Sequence, residues 1–345
     1  MKKLFLSLVA LVMATMSYAQ SSMLATLSHD GEISTYYGAT ALRDACNASE
    51  HGDIITLSSG TFAAVNIDKA LTIRGAGMQV DTIAKTYPTI IAGDFTISIP
   101  DSIEQRLTME GLYNNFTITI KGTLKNASFL KDRFGAIRPE SKTTTRMENL
   151  TFIHCKVSNY LDLPPVSSAT CVNCYIKNAY SYSSTSSNFE FANCVLWHSG
   201  EYFNGANHYL NEIDCSTFNN CIIYAANSSS SVIVSSSSAY YCVGSSTTSV
   251  NIFRYIPNNT NTQVDVLSTI FKTFRGTYSD KETFELTDAA KSQYKGSDGT
   301  EVGIYGGSLP FDPTPTNPQI TKCNVASKST ADGKLSVDIE VSAAE

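Results

Sequence analysis

Imidazole and basic side chains recur at a set distance after a short Asn-centred pattern in the middle of the chain. Counting from the Asn of each copy, the fifth position holds Lys131, His154 and His198, and the seventh position of the first copy is Arg133. An imidazole titrates near neutral pH, which suits His154 or His198 to the role of general base. Arg133 or Lys131 would neutralise a substrate carboxylate. These residues are therefore the candidates for proton-transfer chemistry.

Aromatic and basic side chains in the same region are candidates for binding a sugar chain. Sugars stack on aromatic rings and form hydrogen bonds with polar side chains. Strand parity points the fourth position after the Asn outward, and the seventh and ninth positions lie further round the repeat. The predicted binding residues are Lys131, Lys177, Tyr180, Tyr182, Trp197 and Tyr202. The alternative is that these residues are ordinary solvated positions, with the aromatic rings covered by a loop or by the C-terminal hairpin.

The pattern that positions these residues occurs five times. Its Asn residues are separated by 23, 24, 20 and 27 positions, which is the period of a solenoid; they are Asn126, Asn149, Asn173, Asn193 and Asn220. Two positions before, one after and three after the Asn are always apolar or Cys. Positions one and three share a face, as in a strand. The chain must bend at the Asn, which tolerates the left-handed conformation. Each coil is therefore predicted to consist of a strand, an Asn corner and a strand, with the Asn side chains stacked.

These residues resemble the asparagine ladder of the right-handed parallel β-helices of the pectin-lyase-like superfamily. The resemblance covers roughly Gly52 to Gly307, and 298–307 is similar to the closing segment of exported bacterial β-helix proteins. It implies an all-β fold, a right-handed parallel β-helix. Ala41, Leu42, Ala45 and Cys46 have helical spacing, which predicts an N-terminal helix cap over the first coil. A C-terminal β-hairpin is predicted around Asp332-Gly333.

The catalytic motifs of this superfamily are not found. The Arg138-Pro139 pair does not have the spacing of the pectate-lyase Arg motif, and the Asp-Asp, Gly-His-Gly and Arg-Ile-Lys motifs of polygalacturonases do not occur. This counts against a pectin enzyme but leaves open a lyase or hydrolase with a different site. Such a lyase could use calcium. Otherwise no cofactor is expected and no metal site is predicted.

Charge and cysteine content exclude some classes of function. The net charge is −6, which argues against nucleic acid as a partner. Of the nine cysteines, Cys174, Cys194 and Cys221 occupy one inward position, and we expect free, buried thiols there. Cys171 and Cys174 both fall at apolar positions of the repeat, two before and one after Asn173. Their spacing therefore does not indicate a metal or redox site.

Four segments are predicted along the chain. Residues 1–19 have the basic start, apolar run and small-residue site of a signal peptide cleaved after Ala19, and no segment is predicted to span the membrane. Residues 20–309 form the β-helix with its cap, 310–318 a Pro-rich linker, and 319–345 the hairpin. The hairpin would cap the helix, pair with another chain or lead into a further domain. The oligomeric state stays open.

Three functions are compatible with this sequence. The first is an exported protein of the cell surface, periplasm or medium that binds polysaccharide or acts in adhesion without catalysis. The second is a polysaccharide lyase or glycoside hydrolase with a site around Arg133, His154 and His198. The third is a purely structural surface protein.

Overall fold

The computed structural model describes residues 23–82, 86–181, 187–198, 215–225, 237–246, 251–254, 256, 258–265, 269–273, 282–326, 328–330 and 332–342. The chain forms a parallel β-solenoid of about eight turns. The predicted signal peptide, 1–19, lies outside the described residues, as do Tyr182 and Tyr202.

Two long sheets form the walls of the solenoid. Sheet A has eleven described strands, in the spatial order β2 (Glu32–Tyr37), β1 (Leu24–His29), β3 (Ile54–Leu57), β5 (Thr72–Arg74), β8 (Thr108–Glu110), β11 (Ser128–Leu130), β14 (Leu150–Ile153), β16 (Ser168–Val172), β19 (Asn188–Ala192), β21 (Ser216–Asn219) and β23 (Ser238–Tyr240). Strand β1 runs in the opposite direction to the other strands, so its pairs with β2 and β3 are antiparallel. From β3 onward every described pair is parallel.

Sheet B has twelve described strands. Its path is β4 (Gly60–Ala63), β6 (Thr89–Ala92), β9 (Leu112–Ile120), β12 (Arg133–Pro139), β15 (Lys156–Leu163), β17 (Tyr175–Lys177), β20 (Val195–His198), β22 (Ile222–Ala225), β24 (Val243–Ser246) and β25 (Thr262–Gln263), with β7 (Phe95–Ile97) beside β9 and β18 (Ala179–Ser181) beside β15.

The remaining elements are two short strand pairs and two helices. Strand β10 (Thr123–Lys125) pairs in parallel with β13 (Arg146–Glu148), and β26 (Gln319–Val325) pairs antiparallel with β27 (Val337–Ser342). Helix α1 (Ala41–Ala48) buries its apolar side against the first strands, and α2 (Asp288–Gln293) follows late in the chain. The predicted hairpin thus forms, and residues 332–341 are exposed.

The predicted apolar columns fill the interior of the solenoid. Phe129 stacks on Phe152 with ring centroids 4.9 Å apart, and Phe191 stacks on Phe218 at 5.1 Å. These rings are fully or almost fully buried. The alternation of inward and outward side chains along each strand therefore predicted these core residues correctly.

The five Asn residues all adopt positive φ, between 48° and 56°, as their corner role requires. However, they do not form one ladder. Asn126 and Asn149 connect β10 to β11 and β13 to β14, and the Nδ2 atom of Asn149 is 3.4 Å from the Oδ1 atom of Asn126. Asn173, Asn193 and Asn220 instead connect sheet A to sheet B. The single five-member ladder predicted from the sequence is therefore wrong, because two different corners use the same local pattern.

The corner between sheets A and B continues with residues other than Asn. Every member has positive φ; the series is Gly111, Lys131, His154, Asn173, Asn193, Asn220 and Tyr241. Lys131 and His154, which the sequence places in a polar stripe after the first two Asn residues, are thus corner residues themselves. We call this series the A–B corner.

The residue after each corner position points into the solenoid. From His154 onward it is always cysteine: Cys155, Cys174, Cys194, Cys221 and Cys242. Each thiol donates to the carbonyl oxygen two residues earlier, and three of them accept a backbone N–H from the preceding coil; Cys174 Sγ, for example, is 3.3 Å from Cys155 N. These thiols are buried and unbridged. We call them the cysteine column. At the Lys131 corner the same inward position is occupied by Asp132.

Candidate functional site

The A–B corner is covered from Gly111 to Asn220 by residues 296–317, which we call the strap. It runs from the later coils back towards the first. At its start, the backbone N–H of Ser297 donates to Asn220 Oδ1 at 2.9 Å. Further along, Asn173 Nδ2 donates to the carbonyl oxygens of Ile304 and Gly306, both at 2.8 Å. The corner amides therefore hold the strap rather than one another.

His154 is one of the residues that hold the strap. Its imidazole is 6% exposed, and its Nε2 atom lies 2.9 Å from the carbonyl oxygen of Leu309. A carbonyl oxygen only accepts, so Nε2 carries the proton. Burial lowers the pKa of His154, and the bond to Leu309 opposes this to a smaller extent. The neutral imidazole is thus a tether for the strap, and its ring is largely withdrawn from solvent.

Lys131 and Glu110 anchor the far end of the strap. The Lys131 ammonium donates to the carbonyl oxygen of Thr314 at 2.5 Å and lies 3.5 Å from an Asp312 carboxylate oxygen. Glu110 accepts from both the backbone N–H (2.7 Å) and the hydroxyl (2.5 Å) of Thr316. The predicted linker, 310–318, therefore includes residues docked on the coils. Lys131, predicted to bind ligand, lies within this docking contact, with its side chain 13% exposed.

Trp197 lies on the outer face of sheet B, as strand parity predicts, but it is only 3% exposed. It packs against Tyr224 with ring centroids 4.3 Å apart, and neighbouring Tyr175 stacks on Phe284 at 4.4 Å. Apolar residues between 270 and 304 cover this part of the face and form a second core outside the solenoid. Trp197 is thus covered by another part of the chain, which is not the C-terminal hairpin.

Tyr180 and His198 form another buried contact. They are 3% and 2% exposed, and their rings meet edge to face with centroids 6.1 Å apart. Tyr160 lies beside Tyr180 at 6.5 Å between ring centroids. The two predicted bases, His154 and His198, thus belong to different environments: one contacts the strap and the other packs against tyrosines.

The outer face of sheet B also carries three basic side chains. Arg133 and Lys156 are direct register partners on β12 and β15, and Lys177 lies on β17, the next strand, two residues beyond Tyr175, the register partner of Lys156. All three are partly exposed. Adjacent rungs of a parallel sheet are about 4.8 Å apart, so the face presents one positive charge on each of three successive rungs. We call Arg133, Lys156 and Lys177 the basic patch.

Two of these basic side chains make cation–π contacts with aromatic rings. The Arg133 guanidinium lies 4.7 Å from the centroid of the Tyr113 ring, and the Lys156 ammonium lies 5.2 Å from that of Phe311, a strap residue. Such contacts favour a cation positioned over the face of the ring. Polar groups are also near: Ser158 donates to the side-chain oxygen of exposed Asn115 at 3.3 Å. The patch can bind anionic groups, and its neighbours can form hydrogen bonds with hydroxyl groups.

The sequence identified part of this site. Arg133 and Lys177 were predicted, and Lys156 belongs to the same column as Arg133. Tyr113 and Asn115 were missed because they precede the first copy of the repeat. Phe311 was missed because nothing local to it indicates contact with a strand more than 150 positions earlier.

The described residues contain no group of three or more His, Cys, Asp or Glu side chains that could hold a metal ion. Within the same residues, neither helix is long and apolar enough to cross a membrane. Comparison of the chain with protein-family models, with curated proteins and with solved structures found no match.

Proposed function

We propose that this protein is exported and binds acidic polysaccharide along the basic patch, without catalysing its breakdown. The fold proposed with this function is a right-handed β-helix of the pectin-lyase-like type, with α1 as its N-terminal cap. Residues 1–19 would be removed on export. The observation that carries the proposal is that Arg133 and Lys156 are register partners on adjacent strands, with Lys177 on the next strand two residues further along.

The spacing of the rungs favours a polymer over a small anion. A repeat of about 4.8 Å is comparable to the length of one sugar ring, so a chain lying along the solenoid axis could place successive carboxylates near successive cations. Arg and Lys both bind carboxylates, and Arg can do so with two parallel hydrogen bonds. Tyr113 and Phe311 would provide apolar surface for the sugar rings.

Burial of both candidate bases supports binding rather than catalysis. A general base must come within hydrogen-bond reach of the proton that it removes. His198 is 2% exposed, and the protonated Nε2 of His154 already donates to the strap. Arg133 is partly exposed, and its proposed role is to bind charge.

The test is retention on immobilised polygalacturonate and alginate, with neutral polymers as references. Replacing Arg133, Lys156 and Lys177 by Ala should weaken retention at least tenfold. The control replaces the exposed Arg106, Lys125 and Lys328 by Ala, which removes the same charge elsewhere. Equal losses in both triple variants would reject the patch, as would the absence of retention on any acidic polymer. New unsaturated sugar ends would instead indicate a lyase.

A further inference from the structure

A cleft lies at the last described coils, away from the basic patch. Its volume is about 530 Å³, and its described lining is dominated by carboxamides. The lining residues used below are Asn251, Phe253, Arg254, Asn258, Asn259 and Gln263. They lie between the end of β24 and the end of β25.

The backbone orients several of these amides. Asn251 Oδ1 accepts the N–H of Phe253 at 2.8 Å, and Asn258 Oδ1 accepts the N–H of Thr260 at 3.0 Å. Gln263 Oε1 accepts the N–H of Ile252 at 3.1 Å. Since these oxygens are engaged by the protein, the NH₂ groups of Asn251 and Asn258 are the parts left for a ligand. Within the described structure, neither NH₂ group donates to a protein acceptor.

The cleft therefore presents donors. A carboxamide NH₂ and a guanidinium can only donate hydrogen bonds. Arg254 adds a positive charge from an exposed position, and none of the described lining residues is acidic. Such a surface favours a ligand rich in acceptors, and a carboxylate most of all, because charge-assisted hydrogen bonds are about twice as strong as neutral ones.

An aromatic ring stands beside the donors. A smaller cavity of about 200 Å³ shares Asn258 with the cleft and is lined by Tyr240, Ser238 and Ile256. Tyr240 is 43% exposed. The two cavities thus place a ring that can stack on a sugar next to groups that can bind its carboxylate.

We propose that this cleft binds a uronic acid residue of an acidic saccharide, as a site separate from the basic patch. The sugar ring packs against Tyr240, and its carboxylate accepts hydrogen bonds from the NH₂ groups of Asn251 and Asn258 near Arg254. A ligand of this class is short enough to bind without reaching the basic patch.

The test is isothermal titration of the full chain with trigalacturonic acid and with its methyl ester, which lacks the charges. Asn251→Asp combined with Asn258→Asp keeps the oxygens that accept backbone N–H groups but replaces each donor by an acceptor. We expect this variant to bind the trisaccharide at least tenfold more weakly. Asn66→Asp is the matched control, because Asn66 Oδ1 accepts the N–H of Thr96 in an exposed loop of an early coil.

Three results would overturn the proposal: no binding of the acid by the wild-type chain, unchanged affinity in the double Asp variant, or equal weakening in the Asn66 variant. The triple Ala variant of the basic patch separates this site from the proposed function. It should bind the trisaccharide normally even where it has lost retention on polymers. Loss of trisaccharide binding in that variant would place the ligand on the basic patch and reject the cleft.

Discussion

Replacing Asp132 by Asn should stabilise the protein at neutral pH. Asp132 is completely buried in line with the cysteine column. Its Oδ1 atom accepts the N–H of Leu112 at 2.7 Å, while Oδ2 has no hydrogen-bond partner in the described structure. Burial raises the pKa of this carboxyl well above its ordinary value, with Glu110 adding to the effect and the Leu112 N–H opposing it.

The sign of the pH dependence follows from the raised pKa. The stability that Asp132 contributes is complete below its ordinary pKa of about 3.9, and it is lost as pH rises towards the raised value in the folded state. Within that window the slope is about 1.4 kcal/mol per pH unit. An Asn at position 132 keeps an oxygen that accepts the Leu112 N–H. Its NH₂ group can donate to the carbonyl oxygen of Leu130, two residues earlier, just as each thiol of the cysteine column donates to the carbonyl two residues before it. Removing an unsatisfied buried acceptor is worth about 1–3 kcal/mol.

Urea unfolding of the wild type and of Asp132→Asn between pH 4 and pH 8 measures this effect. The difference in unfolding free energy should grow with pH and favour the variant. Asp94→Asn is the control, because Asp94 Oδ1 also accepts a backbone N–H from a neighbouring coil, that of Thr117 at 2.7 Å, but is exposed. Parallel pH profiles for the wild type and Asp132→Asn would refute the reasoning.

Three further predictions concern the corner, the second core and the thiols. Because the pKa of His154 is lowered, its contribution to stability is present above pH 6.5 and lost as pH falls through the lowered value. His154→Asn, which suits the left-handed corner, should therefore reduce the loss of stability on acidification, measured by urea unfolding at pH 5 and pH 7.5. An unchanged difference in unfolding free energy between the two pH values would contradict this. Trp197→Ala should lower the free energy of unfolding by about 3–5 kcal/mol, because it leaves a cavity; thermal unfolding measures this, and the folded variant should still be retained on polysaccharide. Loss of retention without destabilisation would show a binding role instead. The thiols of the cysteine column are buried, so they should react with an aromatic disulfide reagent at pH 8 only after unfolding, whereas partly exposed Cys215 should react first. Rapid modification of all thiols in the native protein would disprove the buried column.

The interior of the solenoid could be predicted from the sequence because each strand decides locally which side chains face inward. Phe129, Phe152 and Cys174 were assigned to the core from period-two alternation alone. The division of the Asn residues between two corners could not be predicted, since both corners require the same left-handed conformation. Lys131 and His154 occupy that conformation with side chains that resemble solvent-exposed residues in the sequence.

The candidate site depended on distant contacts and was therefore predicted less completely. Whether Trp197 is exposed is decided by residues 270–304, which carry no repeat that relates them to β20. Arg133 and Lys177 were found because their columns continue a regular strand. The amide cleft was not found, since its chemistry depends on which atom of each amide the backbone engages.

The strap changes how the solenoid should unfold. In a simple repeat protein each repeat contacts only its neighbours, so end coils fray independently and stability is nearly a sum of local terms. Here Asn317 bonds to the carbonyl of Gly75, 242 positions earlier, while Ser297 bonds to Asn220. One segment thus couples early and late coils directly. The solenoid should therefore melt as one cooperative unit, and a chain that is being synthesised cannot gain that cooperativity until residues 296–317 have been made.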